Sequence, residues 1–189
     1  MDLDPDPMRT PTSSRDSVRT FRWLDDPTSD RLGADVTGWW RDPVVLAGLG
    51  PALGRLVRDA RPDVVLAPQS RGTLLGALVA THLGIGLVEL RKEPGVLADT
   101  DTWLTARTPP DYRDRNLALS ARSSLLAPGT RVVFVDDWAD TGGQLQAAHA
   151  LAGLARVQWC GAAVIIDALE RPRLRRELGL RALLHVRDL

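Results

Sequence analysis

Apolar and polar positions along this chain fall into short alternating runs. Val44, Leu46, Leu49, Leu53 and Leu56 recur at helical spacing behind Asp42-Pro43. That pattern predicts a helix to about Ala60, capped by the aspartate and opened by the proline. Gly50-Pro51 falls inside it and is expected to kink or divide it. Val64-Val65-Leu66-Ala67 is an unbroken apolar run of the kind a buried parallel strand shows. Gly72 to Leu83 reads as its following helix. Gly86 to Leu90, Arg131 to Val135 and Trp159 to Ile166 read as strands, and Thr141 to Leu154 as a helix. Leu117 to Ser120 and Ala182 to Val186 are further strand candidates, and Pro172 to Leu178 a short helix. Strands alternating with helices predict an α/β domain, a mostly parallel twisted sheet flanked by helices with right-handed crossovers.

Two segments break the rhythm. Residues 1 to 30 carry four prolines and no sustained periodicity, so they read as a mobile or irregular arm before a single folded domain over 31–189. Trp23, Trp39 and Trp40 follow or close this stretch and are expected to anchor it to the core rather than to stack on a ligand. Glu93 to Arg115 holds Pro94, Gly95, Pro109 and Pro110 among Asp99, Asp101, Asp111 and Asp114. So long a loop inside a compact domain suggests a lid, provided it leaves the carboxyl ends of the strands, where open parallel sheets hold their ligands.

Composition narrows the function. Lys+Arg and Asp+Glu balance at 24 each, which argues against a protein built to grip phosphate backbone, so no nucleic-acid partner is expected. No apolar run approaches the roughly 18 residues that span a bilayer, and the first residues lack the apolar core of a secretory signal, so the expected location is cytoplasmic, without a membrane partner. A single cysteine, Cys160, excludes an intramolecular disulfide framework and reads as a small core residue. His82, His149 and His185 lack metal-ligand spacing. Arg171, Arg173, Arg175 and Arg176 read as a solvated helix face. Every basic residue but one is arginine, and the exception is Lys92.

The richest chemistry lies in Arg131-Val132-Val133-Phe134-Val135-Asp136-Asp137-Trp138-Ala139-Asp140-Thr141-Gly142-Gly143-Gln144. An apolar strand delivers adjacent carboxylates, and a Thr-Gly-Gly turn leads into a helix. Glycines let the backbone approach a ligand, and the amides of a helix N-terminus favour phosphate. Carboxylates repel phosphate, so Asp136 and Asp137 suit vicinal hydroxyls or a metal ion instead. A phosphorylated sugar meets both demands.

This run resembles the phosphoribosyl pyrophosphate (PRPP) motif of the type I phosphoribosyltransferases. Asp63 to Gly72, with Leu75-Gly76 behind it, and Leu83-Gly84-Ile85-Gly86 followed by Leu90-Arg91-Lys92, resemble the pyrophosphate loop and the Arg-Lys strand end of the adenine enzymes. Leu126-Ala127-Pro128-Gly129 also matches, so the resemblance covers roughly residues 35 to 167. It implies transfer of ribose 5-phosphate from PRPP to a purine-like base, adenine first, by a homodimer using Mg2+ held mainly by the substrate, with Asp136 and Asp137 as possible protein ligands. It further implies that Ala139, Asp140, Thr141, Gly142, Gly143 and Gln144 surround the 5′-phosphate. Asp136 and Asp137 would take the ribose hydroxyls, and Ser70, Arg71, Gly72, Arg91 and Lys92 the pyrophosphate.

The chain departs from the adenine enzymes in three places. Asp140 stands where they usually have alanine; the hypoxanthine-guanine type has aspartate there and uses it as a base. Asp140 is therefore either a proton acceptor or a cap on the following helix. Gln144 replaces a usual threonine or serine. Of the small N-terminal hood, a Phe-Arg-Asp in the adenine enzymes, only Asp35 remains, with Phe21, Trp23 or Arg31 as substitutes. In the lid, Asp111-Tyr112 is nearest to a Glu-Tyr pair whose glutamate contacts the base. Two alternatives stay open: transfer to another heterocycle in specialised biosynthesis, and a non-catalytic PRPP-binding regulator.

Overall fold

Asp42 accepts hydrogen bonds from the amides of Val44 (2.8 Å) and Val45 (3.2 Å), so the chain turns into its first long helix where the sequence predicts. The computed structural model describes residues 22–24, 33–95, 101–107 and 118–189. Two short strands, β1 (Arg22–Leu24) and β2 (Gly33–Asp35), pair antiparallel ahead of α1 (Thr37–Arg41) and α2 (Pro43–Val57). There follow β3 (Val64–Pro68), α3 (Arg71–Leu83), β4 (Gly86–Leu90), β5 (Trp103–Arg107) and β6 (Ala118–Arg122). The chain ends with β7 (Arg131–Ala139), α4 (Gly143–Leu154), β8 (Gln158–Asp167), α5 (Pro172–Glu177) and β9 (Leu180–His185).

Five strands form one sheet in the order β4-β3-β7-β8-β9, with every pairing parallel. Successive side chains of a strand point to opposite faces. Val65, Ala67, Val133, Val135 and Ile165 accordingly pack with Leu49, Leu53, Leu75 and Val79 of α2 and α3. Leu66, Val132, Phe134 and Val164 pack with Leu145, Ala148 and Leu151 of α4 and with Leu119 and Ala121 of β6. The fold is thus an α/β domain with a parallel sheet between helices, as the alternation predicts.

Several local expectations change. The α2 helix runs unbroken through Gly50-Pro51, because the buried face of Val45, Leu49, Leu53 and Val57 holds it against the sheet. The Ala182 to Val186 candidate begins earlier, at Leu180, and Leu117 to Ser120 shifts to β6. The Glu93 to Arg115 segment is not one loop: it contains β5, paired antiparallel with β6 from Trp103↔Arg122 to Arg107↔Ala118. Only Ala106 is buried in β5, so its apolar signal is slight, and its strand state depends on a partner more than ten residues away. Asp101 fixes the start of this ribbon by accepting from Arg122 Nε (2.6 Å) and Ser124 Oγ (2.6 Å), and these bonds hold its carboxyl far below the ordinary carboxylate range.

Trp39 is fully buried and anchors α1 as expected, with Trp40 partly buried beside it. Most of the expected N-terminal arm, with Phe21 and Arg31, lies outside the described residues, as does Asp111 of the lid. His149 meets Trp159 edge-on at 5.1 Å, and His185 Nδ1 accepts from the Arg187 amide at 3.2 Å. Cys160 is half-buried at the edge of the core.

Helices α2 and α3 touch closely at Gly50, where a Cβ would lie 2.6 Å from the Leu78 carbonyl oxygen. Backbone cannot swing away as a side chain can. Gly50→Ala is therefore expected to cost about 1–3 kcal/mol even after the roughly 1 kcal/mol that alanine gains over glycine in a helix. The measurement is the urea midpoint at unchanged m.

Candidate functional site

The two adjacent acids lie within β7 rather than beyond its end. The strand continues past them because its ladder to β8 continues, pairing Asp136↔Val164, Trp138↔Ile166 and Ala139↔Asp167. Both carboxylates are buried. Asp136, Phe134 and Trp138 line a cavity of ≈ 90 Å³ together with Ala139 to Leu145 and Val164. Asp137 turns toward α3, where its Oδ2 lies 2.9 Å from Arg71 Nε. This is an ion pair without hydrogen-bond alignment, since Asp137 Oδ2 is among the buried atoms that have no hydrogen-bond partner.

Asp136 is the most strained electrostatically. Its Oδ1 accepts from the Asp137 amide at 2.9 Å, while its buried Oδ2 has no partner. Burial first, and then the Asp137 charge, pushes its carboxyl well above the ordinary carboxylate range; the Asp137 amide and the Arg71 charge oppose this only in part. A buried, unsatisfied carboxyl oxygen beside a cavity is the mark of a group whose partner is a ligand.

The cavity's rim is a backbone turn. Asp140 and Thr141 lead to Gly142, whose φ of 80 suits glycine, and α4 begins at Gly143, two residues later than the sequence predicts. Thr141 Oγ1 accepts from the Gly143 amide at 3.3 Å, and the first-turn amides of a helix have no carbonyl partner within it and sit at the positive end of its dipole. Gln144 Oε1 is buried without a partner in the same wall.

The expected pyrophosphate residues gather across the sheet. Ser70 precedes α3, Arg71 opens it, and a Cβ on Gly72 would lie 2.9 Å from Asp136 Oδ1, so this turn rests directly on β7. Arg91 and exposed Lys92 follow the end of β4, the strand beside β3. The Arg91 guanidinium carbon stands 5.9 Å from the centre of the Trp103 ring, and its Nε has no hydrogen-bond partner. The structure therefore brings Asp136, Asp137, Ala139 to Gln144 and Ser70 to Gly72 to one end of the sheet, with Arg91 and Lys92 at the neighbouring strand end.

Two contributors go beyond the residues singled out in the sequence. Glu89 of β4 accepts from Gln69 Nε2 (3.3 Å) and Thr73 Oγ1 (3.2 Å), tying the Ser70 loop to the strand that carries Arg91. A charge inside an apolar strand was the available clue. Trp138 lines the cavity while packing against the cluster of α2 and α3. The Asp35 carboxylate receives both the amide (2.9 Å) and the hydroxyl (2.6 Å) of Thr37.

No group of three or more His, Cys, Asp or Glu among the described residues forms a metal cage. Magnesium usually keeps waters and substrate oxygens and takes only one or two carboxylates. Asp136, with one oxygen that has no partner, and Asp137, ion-paired with Arg71, fit that limited role.

Residues 43–182 match the phosphoribosyl transferase domain. The adenine phosphoribosyltransferase of Desulfitobacterium hafniense is 33% identical over 153 residues, covering 80% of this chain and 86% of its own length. That of a Synechococcus species is 36% identical over 76% of this chain and 79% of its own. The crystal structure of adenine phosphoribosyltransferase from Thermoanaerobacter pseudethanolicus overlays with a TM-score of 0.81 at 23% identity, covering 92% of this chain and 99% of that one, a likeness of fold.

An acid whose folded-state pKa is raised costs stability progressively as pH rises from the unfolded value, about 3.9, through the folded one. Asp136→Asn removes that cost while keeping an oxygen for the Asp137 amide. The variant is expected to melt above the native chain at pH 7, with the two melting temperatures converging toward pH 4. A variant that melts no higher at pH 7 would show that Arg71 already offsets the charge.

Proposed function

The chain belongs to the phosphoribosyltransferase family, and on that premise we propose that it transfers ribose 5-phosphate from PRPP to adenine, releasing pyrophosphate in a reaction of purine salvage. The observation that carries this reading is the buried, partnerless Asp136 Oδ2 beside a cavity rimmed by the turn that opens α4. An anion site and a hydroxyl acceptor side by side suit a sugar phosphate. The shared name of the curated relatives supports adenine as acceptor.

In this reading the amides of Gly142, Gly143 and Gln144 hold the 5′-phosphate, with Thr141 bracing the turn. Asp136 and Asp137 accept hydrogen bonds from the ribose hydroxyls, which fixes the reacting carbon. Arg71, Arg91 and Lys92 receive the leaving pyrophosphate, where negative charge grows as the C1 bond breaks. Mg2+, when bound, would neutralise further charge there, and Asp136 and Asp137 are the residues that would hold it. The base nitrogen attacks C1 as positive charge develops on the ring, and a carboxylate takes the displaced proton. Asp140, at the cavity rim, is our candidate for that acceptor. The β5–β6 ribbon supports the Arg91 side, where Ser120 exchanges two backbone hydrogen bonds with Arg91. The family resemblance also supports a cytoplasmic homodimer, which sedimentation at assay concentration tests.

Pyrophosphate release from PRPP and Mg2+ is expected with adenine, and not with hypoxanthine, guanine, xanthine, uracil or without acceptor. Release with a different base would reassign the acceptor. Silence across the panel, with PRPP still bound, would leave a regulator. Asp137→Ala is expected to lower turnover by about 10²–10³-fold with its circular dichroism unchanged, and chelation of Mg2+ is expected to stop the reaction reversibly.

A further inference from the structure

The basic run of α5 does not lie on one solvated face. Arg173 does, pairing with Glu177 at 2.8 Å with 87% of its side chain exposed. Arg175 turns inward instead. Its Nε donates to Asp167 Oδ2 at 2.5 Å and its Nη2 to Asp167 Oδ1 at 3.1 Å, while Nη2 also reaches the Leu169 carbonyl. Asp167 is buried, and its Oδ1 accepts from the Leu169 amide at 2.9 Å as well. One guanidinium thus closes the connection between β8 and α5 onto itself, with the planar fork that only arginine offers a carboxylate.

That connection lies against the phosphate turn. Asp167 pairs with Ala139, the last residue of β7, and the Ala168 amide donates to the Ala139 carbonyl at 2.9 Å. Leu169 of the connection and Leu174 of α5, both buried, lie directly beneath Gly142. A Cβ there would meet Leu174 Cδ2 at 2.9 Å and Leu169 Cδ1 at 3.1 Å. The turn that aims the α4 amides therefore has a floor of two leucines, and the floor is held in place by Arg175.

We propose that Arg175 is a positioning residue for ribose 5-phosphate: clamped to Asp167, it fixes Leu169 and Leu174 under Gly142 and so sets the direction of the phosphate-binding amides. This rests on the reading of that turn as the 5′-phosphate site. Arg175 touches no substrate. It acts on one half of the donor, because the pyrophosphate residues Arg71, Arg91 and Lys92 stand on β3, α3 and β4 connections that the clamp does not contact.

The two halves are available as separate probes. Titration calorimetry with ribose 5-phosphate and, in a second series, with pyrophosphate compares the native chain with Arg175→Lys, Leu174→Ala and the control Arg173→Gln. Lysine keeps the charge but not the fork, and Leu174→Ala lowers the floor while leaving the ion pair intact. Both are expected to bind ribose 5-phosphate about five- to tenfold more weakly with pyrophosphate affinity little changed, and to raise the KM for PRPP but not for the base. Arg173→Gln is expected to match the native chain. Native affinity for ribose 5-phosphate in both variants, or an equal loss for both ligands, would overturn the proposal; the second result would mean general loosening. If Arg175→Lys fails to fold, Leu174→Ala decides alone. A native chain that binds neither probe would overturn the reading of the site itself, which the variants by themselves would not.

Discussion

Two neighbouring carboxylates are buried at the end of the central strand, and the rest of the site is arranged around that cost. A buried charge needs a partner, and two adjacent like charges need one more urgently. Asp137 pairs with Arg71, whereas Asp136 lines the cavity and still lies close enough to feel the Asp137 charge. Only Asp137 gains a cation of its own. Asp136 keeps one satisfied oxygen and one orphan, so its carboxyl is pushed toward the neutral form until something in the cavity donates to it. The site is in this sense electrostatically incomplete without a hydroxyl-bearing or cationic ligand, and it stores instability where binding can release it.

Close backbone packing fixes the geometry around these acids. Gly72 lets the first turn of α3 rest on Asp136, and Gly142 lets the turn before α4 rest on Leu169 and Leu174. At neither position is there room for a side chain, so the amides and the carboxylates are held at a set separation by contact rather than by a long hydrogen-bond network. Glu89 does the corresponding work on the other side, joining the loop before Arg71 to the strand before Arg91. The turn that opens α3, the acids of β7 and the turn that opens α4 are thereby mounted on one sheet.

The β5–β6 ribbon adds a wall that does not belong to the sheet. Arg91 exchanges two backbone hydrogen bonds with Ser120, each 2.8 Å, and its side chain faces Trp103, whose indole nitrogen donates to the Gly95 carbonyl at 3.0 Å. A cation central to the proposed leaving-group site is thus held by backbone and ring contacts from the ribbon.

What the sequence determined by itself was everything set by neighbours a few residues apart. The Asp42-Pro43 cap, the apolar period of α2, the unbroken runs of β3 and β8 and the acid pair followed by Thr-Gly-Gly are local patterns, and the structure realises each of them. The family could be read from the same local runs because its site is built from contiguous loop segments. The tertiary structure decided what depends on distant partners. Strand β7 continues past its acids because β8 lies alongside, and β5 is a strand because β6 pairs with it. Arg175 leaves the surface its spacing suggested because Asp167 offers a buried carboxylate. In each case the local propensity is small and the deciding energy comes from a hydrogen-bond ladder or an ion pair that forms only once remote segments meet.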